Sequence, residues 1–279
     1  MKKNLIPGPI GVFDSGYGGL TILSEIQKVL PKYDYIYLGD NSRAPYGTRS
    51  FDVVYEFTKQ AVLALFDQGC NLVILACNTA SAKALRTIQQ NDLPQINPNK
   101  RVLGIIRPTA EVIGNITQTR HIGIVGTPGT IQSESYTIEI GKLHPDITVN
   151  SHACPMWVPI VENNEFNTEG ADYFIKKDLD TILNMDKNID TLILGCTHYP
   201  LLIDKIKQYA PDRLQILSQG KYVAESLKNY LIRHPEIEEA CTKNESTKYY
   251  TTEAASKFKE SASIFLNKEI EVERINIEG

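Results

Sequence analysis

The sequence predicts an α/β protein with two similar doubly wound domains and mainly parallel sheets. Three observations lead to this prediction. Short apolar runs alternate with longer helix-like segments along almost the whole chain of 279 residues. The apolar runs are continuous and do not alternate with polar residues, and one strand–turn–helix pattern occurs twice. A chain of this length can form one large α/β unit or two smaller domains.

The apolar runs are the predicted strands. They are rich in β-branched residues and are bounded by Gly, Pro or Asp, as strands buried on both faces are. They cover residues 10–13, 35–38, 72–75, 102–106, 122–125, 147–150, 192–194 and 214–217. Because helix-like segments separate them, we expect βαβ units with helices on both faces of each sheet.

The clearest predicted helix covers residues 51–67, whose apolar side chains repeat at helical spacing. Residues 91–100 contain two prolines and three asparagines and are typical of a linker or long loop. In the tail we expect a short strand from Thr247, a helix over residues 254–266 and a final strand near residues 271–277.

The domain prediction follows from the repeated strand–turn–helix pattern, at residues 72–81 and 192–201. We assign one copy to each domain. The first predicted domain comprises residues 1–104 and 217–279, and the second comprises residues 105–216. The sequence has no repeat of short period, which excludes a solenoid.

Composition narrows the class of protein. Hydrophobic residues make up 42% and charged residues 22%, which are ordinary values for a globular protein. The net charge of −4 and the pI near 5.8 argue against a dedicated nucleic-acid surface. No apolar run approaches the roughly 20 residues that span a bilayer, and no apolar segment follows the basic start as in a signal peptide. The sequence therefore predicts a cytoplasmic protein that is not bound to a membrane.

The chain has five cysteines. An odd number in a chain without an export signal favours reduced thiols over a disulfide framework. Any special role of a cysteine must therefore come from reactivity, metal binding or packing.

The first copy of the repeated pattern carries a cysteine at the end of its strand. The apolar run of residues 72–75 leads to Cys77, and Asn78 or Thr79 is placed to cap the helix that follows. The thiol would therefore lie at the carboxyl end of a strand, where open α/β sheets bind ligands.

The second copy has the same order of features. Its strand leads to Cys196, Thr197 or His198 stands at the cap position, and Pro200 lies early in the helix, where its missing N–H does no harm. A buried cysteine is more often a small packing residue than a reactive one. Two cysteines in nearly identical contexts favour a functional role, because packing gives no reason for the repetition.

The position beside a helix N-terminus has a chemical consequence. A free thiol has a pKa of about 8.5, and the positive end of a helix lowers it, which makes the thiol a usable base. Two such groups suit a reaction that removes a proton from one face of a carbon and returns a proton to the other face. We therefore interpret Cys77 and Cys196 as a proton relay across a single carbon.

Other side chains near predicted strand ends give weaker signals. Asp14 precedes a Gly-rich turn and is as easily a helix cap as a catalytic group. Thr127 and Thr130 offer hydroxyls suited to a small anion. Arg107 is expected to form an exposed salt bridge, and Glu162 to be a solvated side chain. The Gly-rich turn is not a G-x-G-x-x-G fingerprint, which leaves nucleotide binding a weak alternative.

A zinc site is a further alternative. Cys196 and His198, together with Cys154 and His152, would supply two cysteines and two histidines. The spacing differs from the usual C-x2-C and H-x3-H pairs, so we rank this site well below the thiol relay and expect no metal.

Five motifs, in order along the chain, resemble the glutamate racemases of bacterial cell-wall synthesis. The motifs are Phe13-Asp14-Ser15-Gly16 with Gly18-Gly19-Leu20, Pro45-Tyr46-Gly47, Cys77-Asn78-Thr79-Ala80, Cys154-Pro155 with Val158-Pro159-Ile160-Val161-Glu162, and Gly195-Cys196-Thr197-His198-Tyr199-Pro200-Leu201. The resemblance covers nearly the whole chain. It implies two facing α/β domains, an active site in the interdomain cleft, and D-glutamate made for peptidoglycan without a cofactor or metal.

The resemblance also implies roles for particular side chains. Cys77 would take the proton from D-glutamate and Cys196 from L-glutamate. Asp14 would support the first thiol, and Glu162 and His198 the second. The remaining residues implied to hold the substrate's polar groups are Ser15, Pro45, Tyr46, Gly47, Asn78, Thr79, Thr127, Thr130 and Thr197.

The sequence leaves some functions open. Aspartate racemases share the plan with two cysteines, but they usually carry glutamate where this chain has His198. A thiol hydrolase would use Cys196 and His198 and would not need Cys77. An amino-acid-binding protein would need neither thiol. Some relatives form dimers, so a homodimer is also left open. One departure from the family is Ser218-Gln219-Gly220, where an acidic residue, serine and glycine often stand.

Overall fold

The computed structural model of the chain describes residues 5–266 and 269–277. The strands in this part of the chain are β1 (Ile10–Asp14), β2 (Tyr35–Gly39), β3 (Leu72–Leu75), β4 (Arg101–Gly104), β5 (His121–Gly126), β6 (Thr148–Ala153), β7 (Thr191–Gly195), β8 (Gln215–Leu217), β9 (Thr247–Thr251) and β10 (Val272–Arg274).

Helices connect the strands and cover the sheets. The α-helices are α1 (Gly19–Val29), α2 (Phe51–Asp67), α3 (Asn78–Lys83), α4 (Leu85–Thr87), α5 (Leu93–Ile96), α6 (Ile106–Val112), α7 (Pro128–Gln132), α8 (Ser135–Leu143), α9 (Trp157–Glu162), α10 (Glu169–Met185), α11 (Ile203–Tyr209), α12 (Gly220–Arg233), α13 (Pro235–Glu238) and α14 (Ala255–Leu266). A π-helix covers Ile88–Asp92, and 3-10 helices cover Asn41–Arg43, Ile113–Asn115 and Tyr199–Leu202.

The strands form two sheets in which every described pairing is parallel. The first sheet has the order β10-β9-β2-β1-β3-β4 and the second has the order β6-β5-β7-β8. In both sheets the first strand along the chain pairs with the second and the third, and the fourth lies beyond the third. The predicted α/β class, with doubly wound parallel sheets, is confirmed.

The central strands of both sheets are buried on both faces, which explains their continuous apolar runs. In β1, Ile10 and Val12 belong to one hydrophobic cluster and Phe13 to another on the opposite face. In β7, Leu192 and Ile193 likewise belong to two different clusters. Since successive side chains of a strand point to opposite faces, a strand covered by helices on both sides needs apolar residues at every position.

The predicted elements lie where the sequence placed them, and their ends differ. The helix over residues 51–67 is confirmed, with Ser50 as its N-cap accepting a hydrogen bond from the Val53 N–H. The strand predicted over residues 102–106 ends at Gly104, because α6 already begins at Ile106. The strand predicted over residues 147–150 is β6, which starts at Thr148 and continues to Ala153.

Two other predictions need correction. The linker expected over residues 91–100 is partly helical, because it contains the end of the π-helix and all of α5. Pro94 lies in the first turn of α5, where a missing N–H costs no helical hydrogen bond. The last strand, expected near residues 271–277, is limited to β10, which pairs with β9 at the edge of the sheet.

The first sheet draws its strands from residues 10–104 and 247–274, and the second from residues 121–217. The domain boundaries themselves stay a prediction, and residues 1–4, 267–268 and 278–279 of the first predicted domain lie outside the described residues. Among the helices described, not one combines the length and the apolar character needed to cross a membrane.

Candidate active site

The topology places the candidate site residues at the carboxyl ends of the strands in each sheet. β1 lies between β2 and β3, and β5 lies between β6 and β7. The chain therefore leaves β1 and β3, and likewise β5 and β7, toward opposite faces, and open α/β sheets bind ligands at the carboxyl ends of such strands. Asp14 ends β1, Cys77 follows β3, Gly126 ends β5 and Cys196 follows β7.

The turns that leave both sheets line one cavity of about 130 Å³. A cavity of this size suits a small molecule and is too small for a nucleotide. The lining residues are Ser15, Ala44, Pro45, Tyr46, Gly47, Thr48, Cys77, Asn78, Thr79, Thr127, Pro128, Cys154, Pro155, Val158, Pro159, Glu162, Cys196, Thr197 and His198. Both thiols therefore reach the same cavity, each from a different sheet.

The predicted site residues are brought together here with two exceptions. Asp14 and Thr130 do not line the cavity, and both are fully buried behind it. Thr130 accepts or donates in a group of three hydroxyls, in which its Oγ1 lies 3.0 Å from that of Thr127 and 3.3 Å from that of Thr79. The Gly129 N–H donates to the Gly47 carbonyl across 2.7 Å, which holds this group against the facing loop.

Cys77 is itself the N-cap of α3. Its Sγ accepts a hydrogen bond from the Ala80 N–H at 3.5 Å and lies 3.4 Å from the Ser15 hydroxyl. The expectation that Asn78 or Thr79 caps this helix is therefore wrong. The thiol lies directly at the helix N-terminus, one residue earlier than the sequence suggested, which leaves the Asn78 and Thr79 side chains to line the cavity.

The pKa of Cys77 lies above its ordinary value, contrary to the sequence-based expectation that the helix N-terminus lowers it. Burial, followed by the charge of Asp14, raises the pKa of the Cys77 thiol to about 12, and the hydrogen bonds with Ser15 and Ala80 only partly offset this. The thiol form of Cys77 is therefore the stable one.

Cys196 has a different environment. Its Sγ lies 3.8 Å from Nδ1 of His198, whose Nε2 lies 3.1 Å from Oε1 of Glu162. Burial acts to lower the pKa of His198, but the hydrogen bonds with Cys196 and Glu162 outweigh it and raise that pKa to about 10. The imidazole is therefore held in its charged form, next to the thiol.

The position of Glu162 corrects the sequence-based expectation of a solvated side chain. Glu162 is the last residue of α9, its side chain is 28% exposed, and it lines the cavity opposite His198. His198 takes the cap position before the 3-10 helix Tyr199–Leu202, without a capping hydrogen bond from its side chain. Its ring therefore remains available to both Glu162 and Cys196.

Asp14 does not cap a helix. The N-cap of α1 is Gly18, and Oδ2 of Asp14 accepts a hydrogen bond from the Gly16 N–H at 2.9 Å. Burial raises the pKa of Asp14, and the charge of His198 and the backbone N–H groups of Gly16 and Gly19 act against that rise. Asp14 is thus a buried carboxyl whose charge reaches both Cys77 and His198.

The loop that carries Pro45, Tyr46 and Gly47 is anchored by its tyrosine. The Tyr46 ring is buried between Phe13 and Phe57, with ring centroids 6.2 and 5.8 Å away, and its hydroxyl donates to Asp40. This anchoring places the backbone of the loop at the wall of the cavity, which the turn signal alone did not indicate.

The sequence missed residues behind and beside the site. Gln219 and Tyr136 are buried and hold the Asn78 amide: the Asn78 Nδ2 donates to Gln219 Oε1 at 2.7 Å, and the Tyr136 hydroxyl donates to Asn78 Oδ1 at 2.6 Å. The lining residues that were not predicted as site residues are Ala44, Thr48, Pro128, Cys154, Pro155, Val158 and Pro159. The departure at residues 218–220 was the only signal for Gln219, and nothing in the sequence tied Tyr136 to it.

Two of the weaker signals are settled by the geometry. Arg107 is exposed and pairs with Glu111 and Glu139, which confirms the surface salt bridge. The imagined site with two cysteines and two histidines is not brought together: among the described residues, His152 and Cys154 group with Asp178, and Cys196 and His198 lie outside that group.

Comparisons with known proteins agree with one another. Residues 17–226 match the family model described as Asp/Glu/Hydantoin racemase. A glutamate racemase from Ruegeria sp. (strain TM1040) is 39% identical over 274 residues, which cover 95% of this chain and 98% of that protein. One from Streptococcus agalactiae is 38% identical over 269 residues, covering 96% and 98%.

Solved structures show the same likeness. A glutamate racemase isoform from Bacillus anthracis superposes with a TM-score of 0.87 at 36% identity, covering 96% of this chain and 97% of that one. The glutamate racemase from Francisella tularensis, solved in complex with D-glutamate, gives 0.86 at 31% identity and covers 99% of each chain.

Proposed function

The chain belongs to the Asp/Glu/hydantoin racemase family, and on that premise we propose that it is a glutamate racemase that works through two thiols. The observation that carries the mechanism is that Cys77 and Cys196 line one small cavity from two different sheets. A racemase needs one acid/base group on each face of the reacting carbon, and two thiols from facing sheets meet that need.

The two thiols have different neighbours. The His198 imidazolium lies beside Cys196 and would offset a negative charge there, whereas burial and Asp14 keep Cys77 a thiol. In the direction from L- to D-glutamate, Cys196 takes the α-proton and the electron pair of the C–H bond stays on the substrate. Cys77 then gives its proton to the opposite face, and in the other direction the two roles are exchanged.

The supporting residues act through these thiols. His198, oriented by Glu162, offsets the charge on Cys196, and Asp14 opposes a charge on Cys77 in the resting state. Movement of a proton from Cys77 to the substrate must therefore be helped by groups that the bound substrate brings close. The α-ammonium group of glutamate is a cation that would serve this purpose.

The polar groups of the cavity would hold the rest of the substrate. The hydroxyls of Thr79 and Thr127, together with the backbone of Gly47, would receive one carboxylate, and Ser15 and Asn78 would contact the other polar groups. The further predicted substrate contacts, by shared position on the cavity wall, are Pro45, Tyr46, Thr197 and His198, with Asp14 and Thr130 acting from behind.

The wider role is also a proposal. D-glutamate made by this isomerase would serve peptidoglycan synthesis in the cytoplasm, with no cofactor. The protein could also form a homodimer, and light scattering of the purified protein measures its oligomeric state.

The test follows L-glutamate with the purified, metal-free protein in D2O. Optical rotation and loss of the α-proton signal are recorded together for the wild type, Cys77→Ser and Cys196→Ser. We expect racemisation with deuterium incorporation, lost by a factor of about 10³ or more in both variants. Cys70→Ser is the control, because Cys70 is a buried thiol away from the cavity.

Other outcomes would identify other functions. If Cys77→Ser kept catalytic activity and Cys196→Ser lost it, a single catalytic thiol would be indicated, as in the thiol hydrolase. If the wild type exchanged the α-proton of aspartate faster than that of glutamate, the protein would be assigned as an aspartate racemase. No exchange of either amino acid by the wild type would rule out a racemase.

A further inference from the structure

A second group of chemically reactive side chains lies beside the cavity. His152, Cys154 and Asp178 each offer one ligand atom, and these three atoms lie within 4.8 Å of one another. Among the described residues this is the one group of three such side chains. The mechanism above uses none of the three, and only Cys154 lines the cavity.

Local structure explains why the three side chains meet. His152 lies in β6 and Cys154 follows two residues later, so both point to the same face of this edge strand. α10 packs on that face with Ala171, Ile175 and Ile182 buried, and Asp178 lies on the same stripe of the helix. A carboxylate is thereby placed on an apolar helix face, opposite an imidazole and a thiol.

Ordinary packing accounts for only part of this arrangement. The His152 Nε2 lies 3.0 Å from Asp178 Oδ1, which satisfies one oxygen and one nitrogen. The thiol of Cys154 has a long contact of 4.0 Å with the His152 carbonyl, and its sulfur lies within 4.8 Å of the Asp178 carboxylate. An imidazole and a thiol thus lie beside one buried carboxylate, and nothing in the proposed reaction requires them there.

We propose that His152, Cys154 and Asp178 form a binding site for a divalent transition metal of the Zn²⁺ class. Imidazole nitrogen, thiolate sulfur and carboxylate oxygen are the ligands that zinc takes in four-coordinate sites, and three protein ligands with a water are a common set. The His152 side chain is 21% exposed, which gives the metal a way in, while Asp178 and Cys154 are buried. Binding displaces the Cys154 thiol proton to solvent, and the ring proton of His152 moves from Nε2 to Nδ1. The Nε2 lone pair and the Asp178 carboxylate then each bind the metal in place of the hydrogen bond between them.

The test uses Co²⁺, because a bond from a thiolate to Co²⁺ gives a charge-transfer band in the near ultraviolet. The protein is the full chain with Cys77→Ser and Cys196→Ser, since the two other cavity thiols would also bind metal. Trp157 provides a second readout: it is the single tryptophan, it is buried, and it lies three residues after Cys154. We expect the band and the quenching of Trp157 fluorescence to saturate at one Co²⁺ per chain and to be reversed by Zn²⁺.

Variants assign the site. His152→Asn and Cys154→Ser should weaken Co²⁺ binding by at least about tenfold, and Cys154→Ser should also abolish the band. The matched control is His121→Asn, because His121 on the neighbouring strand β5 pairs with Asp186 at 2.5 Å outside this group. Circular dichroism before metal addition verifies the fold of each variant. Absence of a saturable band, a band that survives Cys154→Ser, or equal weakening in His121→Asn would each overturn the proposal.

Discussion

Asp14 and Asp190 show how the fold sets the chemistry of single residues. Both lie at an end of a central strand, Asp14 as the last residue of β1 and Asp190 just before β7, but their surroundings differ. Burial dominates at Asp14 and raises its pKa. At Asp190 burial acts in the same direction, but hydrogen bonds from Thr117, Thr119, Gln118 and Thr191 outweigh it and lower the pKa to about 2. The carboxyl beside Cys77 therefore has the poorer charge stabilisation.

This contrast predicts opposite effects of pH on stability. Because the pKa of Asp14 is raised in the folded state, the folded protein binds a proton at a higher pH than the unfolded chain does. The stability of the wild type therefore rises as pH falls toward 3.8. Asp14→Asn lacks this titration. We expect it to be more stable than the wild type at pH 8, with a gap that shrinks toward pH 4, and to lose most racemase activity. Urea unfolding at pH 8, 6 and 4 measures the gap.

Asp190→Asn is the control of opposite sign. The stabilisation by Asp190 is present above pH 3.8 and is lost as pH falls toward 2, so this variant should be less stable than the wild type at pH 8 and lose that deficit only in strong acid. A gap for Asp14→Asn that stays constant with pH would show that the carboxyl does not titrate between these values.

Single residues differ in how well the sequence revealed them. Cys77 and Cys196 were found because each ends an apolar run and begins a helix, which is a local pattern. From the residues alone Glu162 was misjudged, and only the resemblance placed it with His198, because its direction depends on how α9 packs against a residue 36 positions away. The pKa of Cys77 was misjudged for the same reason, since burial and Asp14 are features of the tertiary structure.

At the scale of elements, the sequence pattern located the strands, but it was less accurate about where strands and helices begin and end. β4 and α6 follow each other with one residue between them, and the apolar run of residues 102–106 continues through the junction. Prolines and asparagines at residues 91–100 suggested a loop, but Leu93 is buried and holds α5 in place. In the second case burial, which the local sequence does not show, decided the structure.

The approach of α1 to the second cysteine turn depends on Gly18. A Cβ atom at Gly18 would overlap Oγ1 of Thr197 and lie 2.5 Å from Nδ1 of His198. The Thr21 hydroxyl in the first turn of α1 donates to the Thr197 carbonyl at 3.2 Å, so this contact joins elements of the two sheets. The turn that carries Cys196 can be this close only because residue 18 has no side chain.

We therefore predict that Gly18→Ala lowers kcat at least tenfold, because it displaces Thr197 and His198, and that it costs about 1–3 kcal/mol of stability through overpacking. Gly141→Ala is the matched control, since, apart from the α8 backbone itself, no atom of the described residues lies within 4 Å of its new Cβ. It should keep full activity and gain about 0.5–1 kcal/mol from the better helix former. Steady-state kinetics and urea unfolding test both variants, and unchanged kcat in Gly18→Ala would mean that the turn shifts freely.

At the scale of the whole molecule, the repeated strand–turn–helix pattern predicted two sheets of one topology, and both have it. The resemblance implied that the two domains face each other, but the contacts between them were not accessible from the sequence. That arrangement depends on contacts such as those of Gln219, which lies between β8 and α12 and is 2% exposed. A buried glutamine between two elements has no periodicity and no motif, so only the structure reveals it.

Gln219 joins the cysteine turn of the first sheet to helices beside the second. Its Oε1 accepts from Asn78, and its Nε2 donates to the Tyr136 hydroxyl at 2.5 Å and to Thr109 Oγ1 at 3.1 Å, near the Ile105 carbonyl at 3.2 Å. Since Tyr136 also donates to Asn78, the three side chains form a closed triangle. This triangle fixes the Asn78 amide, which lines the cavity one residue after Cys77.

We predict that Gln219→Leu raises KM for glutamate more than it lowers kcat, because Asn78 loses its orientation while both thiols keep their partners. Buried groups left without a hydrogen bond cost about 1–3 kcal/mol each, so the free energy of unfolding should fall by at least that amount. Gln215→Leu is the control, since Gln215 is exposed on β8 and should change stability by no more than about 0.5 kcal/mol. Initial rates over a range of L-glutamate concentrations, with urea unfolding of the same samples, distinguish the outcomes. If Gln219→Leu were destabilised but kept its KM, the triangle would contribute to stability and not to substrate binding, because the site would then tolerate an Asn78 amide that is not held in place.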